Sequence, residues 1–451
     1  MNKIFTLIII LLVGLNLESA TLDTNYFKDK YSSLVEKIIH KLDGDSSAWN
    51  RLAYMCDTYG HRLSGSKSLN QSLYWAYDEM KKEGFENVNL EPVMVPHWVR
   101  NDESAALISP RYQKMNLLAL GGSVGTTKEG ITAPVVVFKS FDELDKNKQI
   151  AKGKIVLFNM PYLNYGQAVQ FRTLGAQKTA LAGGLACLIR PVSPMSMNNP
   201  HTGVMYYVDS IPKVPAASIT EEDAELLERM YKRGQNPKVH LVMGCETLED
   251  TLSYNLMGEI RGTEKPEEII AIGGHIDCWD ASSGAHDDGG GVIANFEVLS
   301  LMKKLNIKPK RTIRCVFWVN EENGLRGGRD YADKHKTEKH VLMFEMDGGV
   351  FPPSSMNYDV KDSLFSIIKN IEPVLKKIES GLEVRKGGGG VDISPMVKLG
   401  VPGGSIGTRD EGKYFWYHHS ATDTPEKVKS TDMNKCVAAL LAGIYIFADL
   451  P

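Results

Sequence analysis

The residues best suited to chemistry are histidines and carboxylates placed where apolar runs end. The run 269–272 leads into Gly273-Gly274-His275-Ile276-Asp277, the run 312–319 into Asn320-Glu321-Glu322-Asn323-Gly324, and the run 341–346 into Asp347-Gly348-Gly349. Between the first two stands Gly284-Ala285-His286-Asp287-Asp288-Gly289-Gly290-Gly291, whose glycines let the backbone turn while two acids precede a helix. Near the C-terminus the aromatic cluster Tyr414-Phe415-Trp416-Tyr417 runs into His418-His419-Ser420. Imidazole nitrogens and carboxylate oxygens in this combination suit divalent metal ions. Adjacent glutamates suit a division of labour, one carboxylate ligating while its neighbour takes a proton from metal-activated water.

Each group also has an ordinary role open to it. Asp287 or Asp288 can cap the following helix by accepting its free N–H groups. Glu321-Glu322 reads equally as a solvated turn, and a single histidine beside aromatic rings as a packed or surface residue. In a strand, His418 and His419 would point to opposite faces, so at most one should face a site. Joint occurrence favours the metal: one nitrogen ligand, three carboxylates and a second nitrogen ligand are enough for two divalent ions with one carboxylate shared.

Such a set needs a sheet that brings several strand ends to one rim. Beyond Leu252, β-type runs alternate with helical patterns such as 292–305 and 364–371, which predicts an α/β domain with a mainly parallel sheet sandwiched by helices. In open sheets of this kind, sites gather beyond the carboxyl ends of the strands. The last helix is expected over 431–447, capped by Thr431 and buried on most faces. Residues 101–249 differ in texture, with short β-type runs such as 134–138 and 155–158 between Gly or Pro turns and one helical stretch, and read as an inserted β-rich domain. Residues 21–50 read as a helical lead-in with Leu34, Ile38, Ile39 and Leu42 at helical spacing, and 68–82 as another helix. A Gly- and Ser-rich loop over 57–66 separates them.

With 451 residues, 43% of them hydrophobic, the chain can bury the core of two or three domains. The formal net charge of -3, from 52 basic and 55 acidic residues with no long run of either sign, argues against a nucleic-acid partner. Lys3, an apolar run over 4–15 and a small-residue end at Ser19-Ala20 have the order of a secretory signal, and the run falls short of the roughly 20 residues a membrane span needs. The six cysteines lie far apart with no Cys-x-x-Cys, which predicts mostly buried thiols and at most one disulfide. Asn70-Gln71-Ser72 is the single glycosylation sequon.

At His275-x-Asp277, Asp287-Asp288-Gly289, Glu321-Glu322, Asp347-Gly348 and His419-Ser420 with Asp423 beyond, the sequence resembles the zinc-dependent exopeptidases of peptidase family M28, and most closely a branch of secreted and lysosomal dipeptidases. The resemblance runs from about Asp57 to the C-terminus. It implies the zinc exopeptidase fold with two Zn2+ ions, Asp287 bridging them, His275 and Asp347 completing one site and Glu322 and His419 the other. His419 is chosen over His418 because the family's ligand directly precedes Ser or Thr. Glu321 would be the general base and Asp277 a supporting carboxylate counted as catalytic. The stretch Gly60-x-Arg62-x-x-Gly65-Ser66 and the Gly-rich segment 387–393 also match the family and are assigned no catalytic part.

The resemblance further makes 101–249 a protease-associated domain, 51–100 with 250–451 the catalytic domain, and 21–50 a propeptide-like segment of a zymogen. The implied protein is a secreted or lysosomal, glycosylated homodimer that hydrolyses dipeptides or short peptides with free termini and has no membrane span. An aminopeptidase of the same family has the same metal set and is the nearest alternative. A glutaminyl-cyclase-like transferase fits the insert less well, and a non-catalytic ectodomain of the same fold would not need every ligand position filled.

Overall fold

Runs of β-branched and aromatic residues build two eight-stranded sheets. The computed structural model describes residues 22–451, so the leader expected over 1–20 lies outside the described residues. The larger sheet has the order Glu86–Val99, Glu246–Ile260, Arg311–Trp318, Lys265–His275, Lys339–Glu345, Gly403–Thr408, Pro353–Asp359, Glu383–Lys386. Its four central strands, from Arg311–Trp318 to Gly403–Thr408, are parallel. Outside them the pairing turns antiparallel on both sides, with the edge pair Pro353–Asp359 and Glu383–Lys386 parallel again, so the expected parallel sheet holds at the centre, where helices cover both faces. Register sets His275 opposite Trp318 and Gly273 opposite Glu345. The segments that follow these strands therefore leave from one rim, carrying Asp277, Glu321 and Asp347.

Helices Gly290–Leu305 and Ser430–Ala448 pack against each other under the sheet, the first buried at every residue from Gly290 to Met302. A helix apolar on most faces is stable only inside a core. Ser430–Ala448 is the one helix among the described residues long and apolar enough to cross a membrane, and it belongs to the main hydrophobic core. Its backbone is already helical at Ser430, so Thr431 lies inside the first turn rather than capping it.

The lead-in forms the helix Thr24–Leu42, which begins where the Asp23 carboxylate accepts the Tyr26 N–H at 2.9 Å. Phe27, Tyr31, Val35, Ile38 and Leu42 enter the same core as the central sheet, and the Tyr31 hydroxyl donates to Asp449 at 2.6 Å. A further helix, Ser47–Tyr59, buries Leu52, Met55 and Cys56 and continues through Asp57-Thr58-Tyr59. The loop expected over 57–66 is shorter by those three residues, because the buried face carries the helix on to Gly60. Helix Lys67–Lys82 contains the sequon: the Asn70 amide donates to the Leu252 carbonyl at 3.0 Å and accepts the Ser253 hydroxyl at 2.8 Å.

The second lobe holds the other sheet, in the order Gln113–Met115, Glu103–Ser109, Lys238–Met243, Ile131–Phe138, Ile155–Phe158, Ala186–Ile189, Ala216–Ile219, Leu117–Ala119. Two long helices, Tyr165–Leu181 and Glu221–Lys232, accompany it. One helical stretch was expected here and two are present; the second starts where the Thr220 hydroxyl accepts the Asp223 N–H ahead of three acids in the first turn. All six cysteines are buried and unpaired, so the optional disulfide is not formed. A chain with cores this large does not depend on a cross-link.

Candidate metal centre

Strand ends deliver the side chains. His275 ends the strand Lys265–His275, Glu321 and Glu322 follow Arg311–Trp318, Asp347 follows Lys339–Glu345, and Asp287 lies in the turn before helix Gly290–Leu305. Asp287 stands between the two histidines. Its Oδ1 is 3.3 Å from His275 Nε2, and its Oδ2 is 3.3 Å from His419 Nε2. Asp347 Oδ1 lies 3.6 Å from His275 Nε2, and Glu322 Oε2 lies 2.9 Å from His419 Nε2. The Glu321 carboxylate faces the same space, 4.0 Å from His275 Nε2.

Burial and like charges make this cluster unfavourable by itself. Burial and the neighbouring carboxylates push the Glu321, Glu322 and Asp347 carboxyls above their ordinary range. Burial would likewise raise Asp287, but the His275, His419 and His418 imidazoles crowded around it hold it well below. Burial alone would depress His419, and the Glu322 and Asp287 carboxylates instead raise it to about 10. Asp287 Oδ2, Glu322 Oε1 and Asp347 Oδ1 are buried with no hydrogen-bond partner. Three overlapping sets of donor atoms, each within 4.8 Å of one another, include Asp287 with His418 and His419, His275 with Asp288 and Asp347, and His275 with Asp287 and Glu322. Orphaned carboxylate oxygens converging on imidazole nitrogens fit divalent cations, and the mixed N and O donor set fits zinc.

One member of those sets has another duty. Asp288 accepts the His275 N–H at 3.2 Å and the Gly291 N–H at 3.1 Å, so it caps the helix, the ordinary role open to it. His418 and His419 do not diverge as strand residues would: helix Tyr414–Tyr417 leads into them, His419 has φ +60°, and the rings stack at 3.5 Å. Both approach Asp287, His418 Nε2 at 3.6 Å, which corrects the expectation that only one faces the site. His419 alone also meets Glu322, and its Nδ1–H is aimed at the Thr202 carbonyl at 3.3 Å, leaving Nε2 free towards the cluster. His286 lies parallel to the rings of Phe351 and Tyr417 and serves as packing.

The supporting shell is built from distant segments. His275 donates from Nδ1 to the backbone carbonyl of Asp277 at 2.9 Å, which fixes Nε2 as the free nitrogen. The Asp277 carboxylate accepts the N–H groups of Glu321 and Glu322 at 3.1 and 3.3 Å and the Ser64 hydroxyl at 3.2 Å. It therefore positions the glutamate pair. Asp423 does the same for the next ligand segment, accepting the His286 and Asp287 N–H groups at 2.7 and 3.1 Å. Arg62 is fully buried and donates to the carbonyls of Ile276, Ser283 and Gly284 at 2.7, 2.6 and 3.1 Å, tying down the loop between His275 and Asp287. The Gly-rich segment curls around Glu345, whose carboxylate accepts the Val391 and Ile393 N–H groups at 3.0 Å each. A Cβ on Gly390 would fall 2.1 Å from the Glu345 carboxyl carbon, so only glycine fits there.

The second lobe supplies residues that sequence reasoning missed. Its segment 199–203 pairs with the histidine segment: Thr202 N–H donates to the His419 carbonyl at 2.9 Å, and His201 Nδ1 to the His418 carbonyl at 2.7 Å. Ser193 donates to the Phe415 carbonyl at 2.6 Å. Between the lobes lies a cavity of about 610 Å³ lined by Asp287, Glu321, Glu322, Asp347 and His419 from one side and by Tyr165, Arg172 and Tyr206 from the other. Its size suits a small ligand.

A family model described as Peptidase family M28 matches residues 255–444. Carboxypeptidase Q of Homo sapiens is 42% identical over 405 residues, covering 89% of this chain and 85% of that protein. A solved structure of a peptidase M28 precursor from Shewanella amazonensis superposes with a TM-score of 0.89 at 32% identity, covering 94% of this chain and 98% of the other. The zinc aminopeptidase BSAP from Bacillus subtilis, at 18% identity and a TM-score of 0.66 over 90% of this chain and 95% of its own, shares the fold. With a relative this similar along nearly its whole length, the chain belongs to peptidase family M28, and the enzyme is a metallopeptidase.

Proposed function

We propose that the protein is a di-zinc exopeptidase of the secretory pathway or lysosome that removes a C-terminal residue from dipeptides and short peptides. The observation that carries the two-ion reading is Asp287, whose two carboxylate oxygens each face a different histidine at 3.3 Å. His275 and Asp347 would hold one ion, Glu322 and His419 the other, with Asp287 shared. Zinc would supply Lewis acidity, polarising the scissile carbonyl and acidifying water. Glu321, next to a ligand and turned into the same cavity, takes the proton from the attacking water and returns it to the leaving amine. Asp277 holds the main chain of Glu321 and Glu322 in place for both transfers.

Carboxypeptidase action is supported by the name of the human relative and by the second lobe closing one side of the cavity, which limits substrate length. We assign that lobe as a protease-associated insert, and the chain as a homodimer made with a cleaved leader. The test is Glu321→Gln. It should keep two zinc ions per chain by elemental analysis and lose about 10²–10⁴-fold in kcat on an unblocked dipeptide. Wild-type turnover by this variant, or one zinc per chain in the wild type, would overturn the reading.

A further inference from the structure

His286 is completely buried and stands one residue before Asp287. Its ring lies flat between those of Phe351 and Tyr417, with centroids 4.6 and 5.3 Å away and planes tilted by 10° and 7°. That packing also puts a ring nitrogen to use. Nδ1 accepts the Val350 N–H at 3.1 Å, a bond that an imidazole can make only from its unprotonated nitrogen. Val350 follows Asp347 by three residues, and among the described residues this is the one hydrogen bond joining 284–289 to 347–351.

The two segments meet without a gap. Gly349 has φ +72°, and a Cβ there would fall 3.2 Å from His286 Nδ1 and 2.8 Å from the rings of Phe351 and Tyr414. A Cβ on Gly290 would fall 2.3 Å from the Val350 side chain. The turn after Asp347 is thus pressed directly onto the imidazole. The carboxylates at either end of this contact share a target: Asp287 Oδ1 and Asp347 Oδ1 approach the same atom, His275 Nε2, at 3.3 and 3.6 Å. Two carboxylates aimed at one point repel each other until a cation arrives. Their segments therefore need a tie that does not depend on the metal.

We propose that His286, outside the ligand set, is a positioning residue of the metal centre: its Nδ1 bond to Val350 sets the separation of Asp287 from Asp347, and the Phe351 and Tyr417 rings fix the direction of that bond. The proposal rests on the metal-centred reading above, in which both aspartates hold the ion beside His275. Groups that orient ligands in this way are worth about 10–100-fold in metal affinity.

The test separates the acceptor from the ring in the full chain. His286→Phe keeps the stack and removes the acceptor, whereas His286→Asn keeps an acceptor near the place of Nδ1 and removes the ring. In thermal unfolding of the metal-free chain, His286→Phe should be the more stable of the two, because it retains the aromatic packing. Zinc affinity, measured by competition with a chelator, should run the other way: weaker by about 10–100-fold in His286→Phe and by less than about tenfold in His286→Asn. With Co2+ in place of zinc, the visible absorption bands should shift in His286→Phe. At saturating zinc its kcat on an unblocked dipeptide should fall while KM stays within about threefold. Zinc affinities that follow the order of stability would overturn the proposal and leave His286 a core residue. So would a folded His286→Phe with wild-type zinc affinity and cobalt spectrum, a result that stands even if His286→Asn does not fold. Wild-type zinc affinity in Asp347→Asn would instead remove the metal reading beneath the proposal.

Discussion

Replacing Asp277 by asparagine separates positioning from ligation. The carboxylate accepts three donors, from Glu321, Glu322 and Ser64, at 3.1 to 3.3 Å in a fully buried position. Asparagine keeps the shape, but its amide presents N–H to at least one of them. That substitution removes one charge-assisted hydrogen bond, about 1.5–3 kcal/mol, and leaves a buried N–H without an acceptor. The affected N–H groups are those of the glutamate pair itself, and a shift of about 1 Å in a reacting group costs on the order of 10²-fold in rate. The His275 ring is spared, because its Nδ1–H is held by the Asp277 backbone carbonyl, which asparagine retains. We therefore expect Asp277→Asn to keep the wild-type zinc content at saturating metal, to hold KM within about threefold and to lose about 100-fold in kcat. The assay is dipeptide hydrolysis across a zinc titration, with elemental analysis at each point. Full recovery of kcat with excess zinc would refute the argument, since Asp277 would then act on metal affinity through His275 rather than on Glu321.

Three further outcomes follow from the same contacts. Arg62→Met should destabilise the fold by about 3–5 kcal/mol in chemical unfolding and weaken zinc binding, because the Ile276, Ser283 and Gly284 carbonyls lose their donor. Burial alone would lower the His335 pKa, but Glu338 and Glu91 raise it to about 9, so its contribution is complete below the ordinary histidine value and is lost as pH rises through about 9. Between pH 6 and 9.5 the wild type should lose about 2 kcal/mol more stability than His335→Gln, allowing for the partial exposure of Glu338, and parallel pH profiles would refute the pairing. A chain lacking 22–45 gives up five core side chains, Phe27, Tyr31, Val35, Ile38 and Leu42, each contributing about 1.5–3 kcal/mol, and should fail to fold; a soluble product with unchanged Tm would refute this.

What the sequence displayed was local. Acids and histidines at the ends of β-type runs were visible because strand and loop are adjacent in the chain, and the parallel order of the central strands brings those ends together. Asp288 kept its two alternatives until its bonds to the His275 and Gly291 N–H groups settled it as a cap. The histidine pair was misjudged because strand alternation was assumed where a short helix and a left-handed residue bring both rings to one side. Asp277 acts on main-chain N–H groups 44 and 45 residues away, and Arg172 meets His419 across 247. No periodicity records such contacts, since register between lobes is decided by packing. The lead-in's fate was likewise hidden: its apolar stripe was legible, but not that the stripe docks on the C-terminal helix.

The hydrogen bonds from Thr202 and His201 to the His418–His419 main chain make the two lobes a thermodynamically coupled pair. Whatever favours docking of the second lobe favours the ring orientation at His419, and occupation of the metal centre must favour docking by the same factor. Substitutions in the segment 199–203 would then read out as altered zinc affinity although no ligand has changed. In turn, chelation should speed amide hydrogen exchange in a segment that supplies no ligand to the metal.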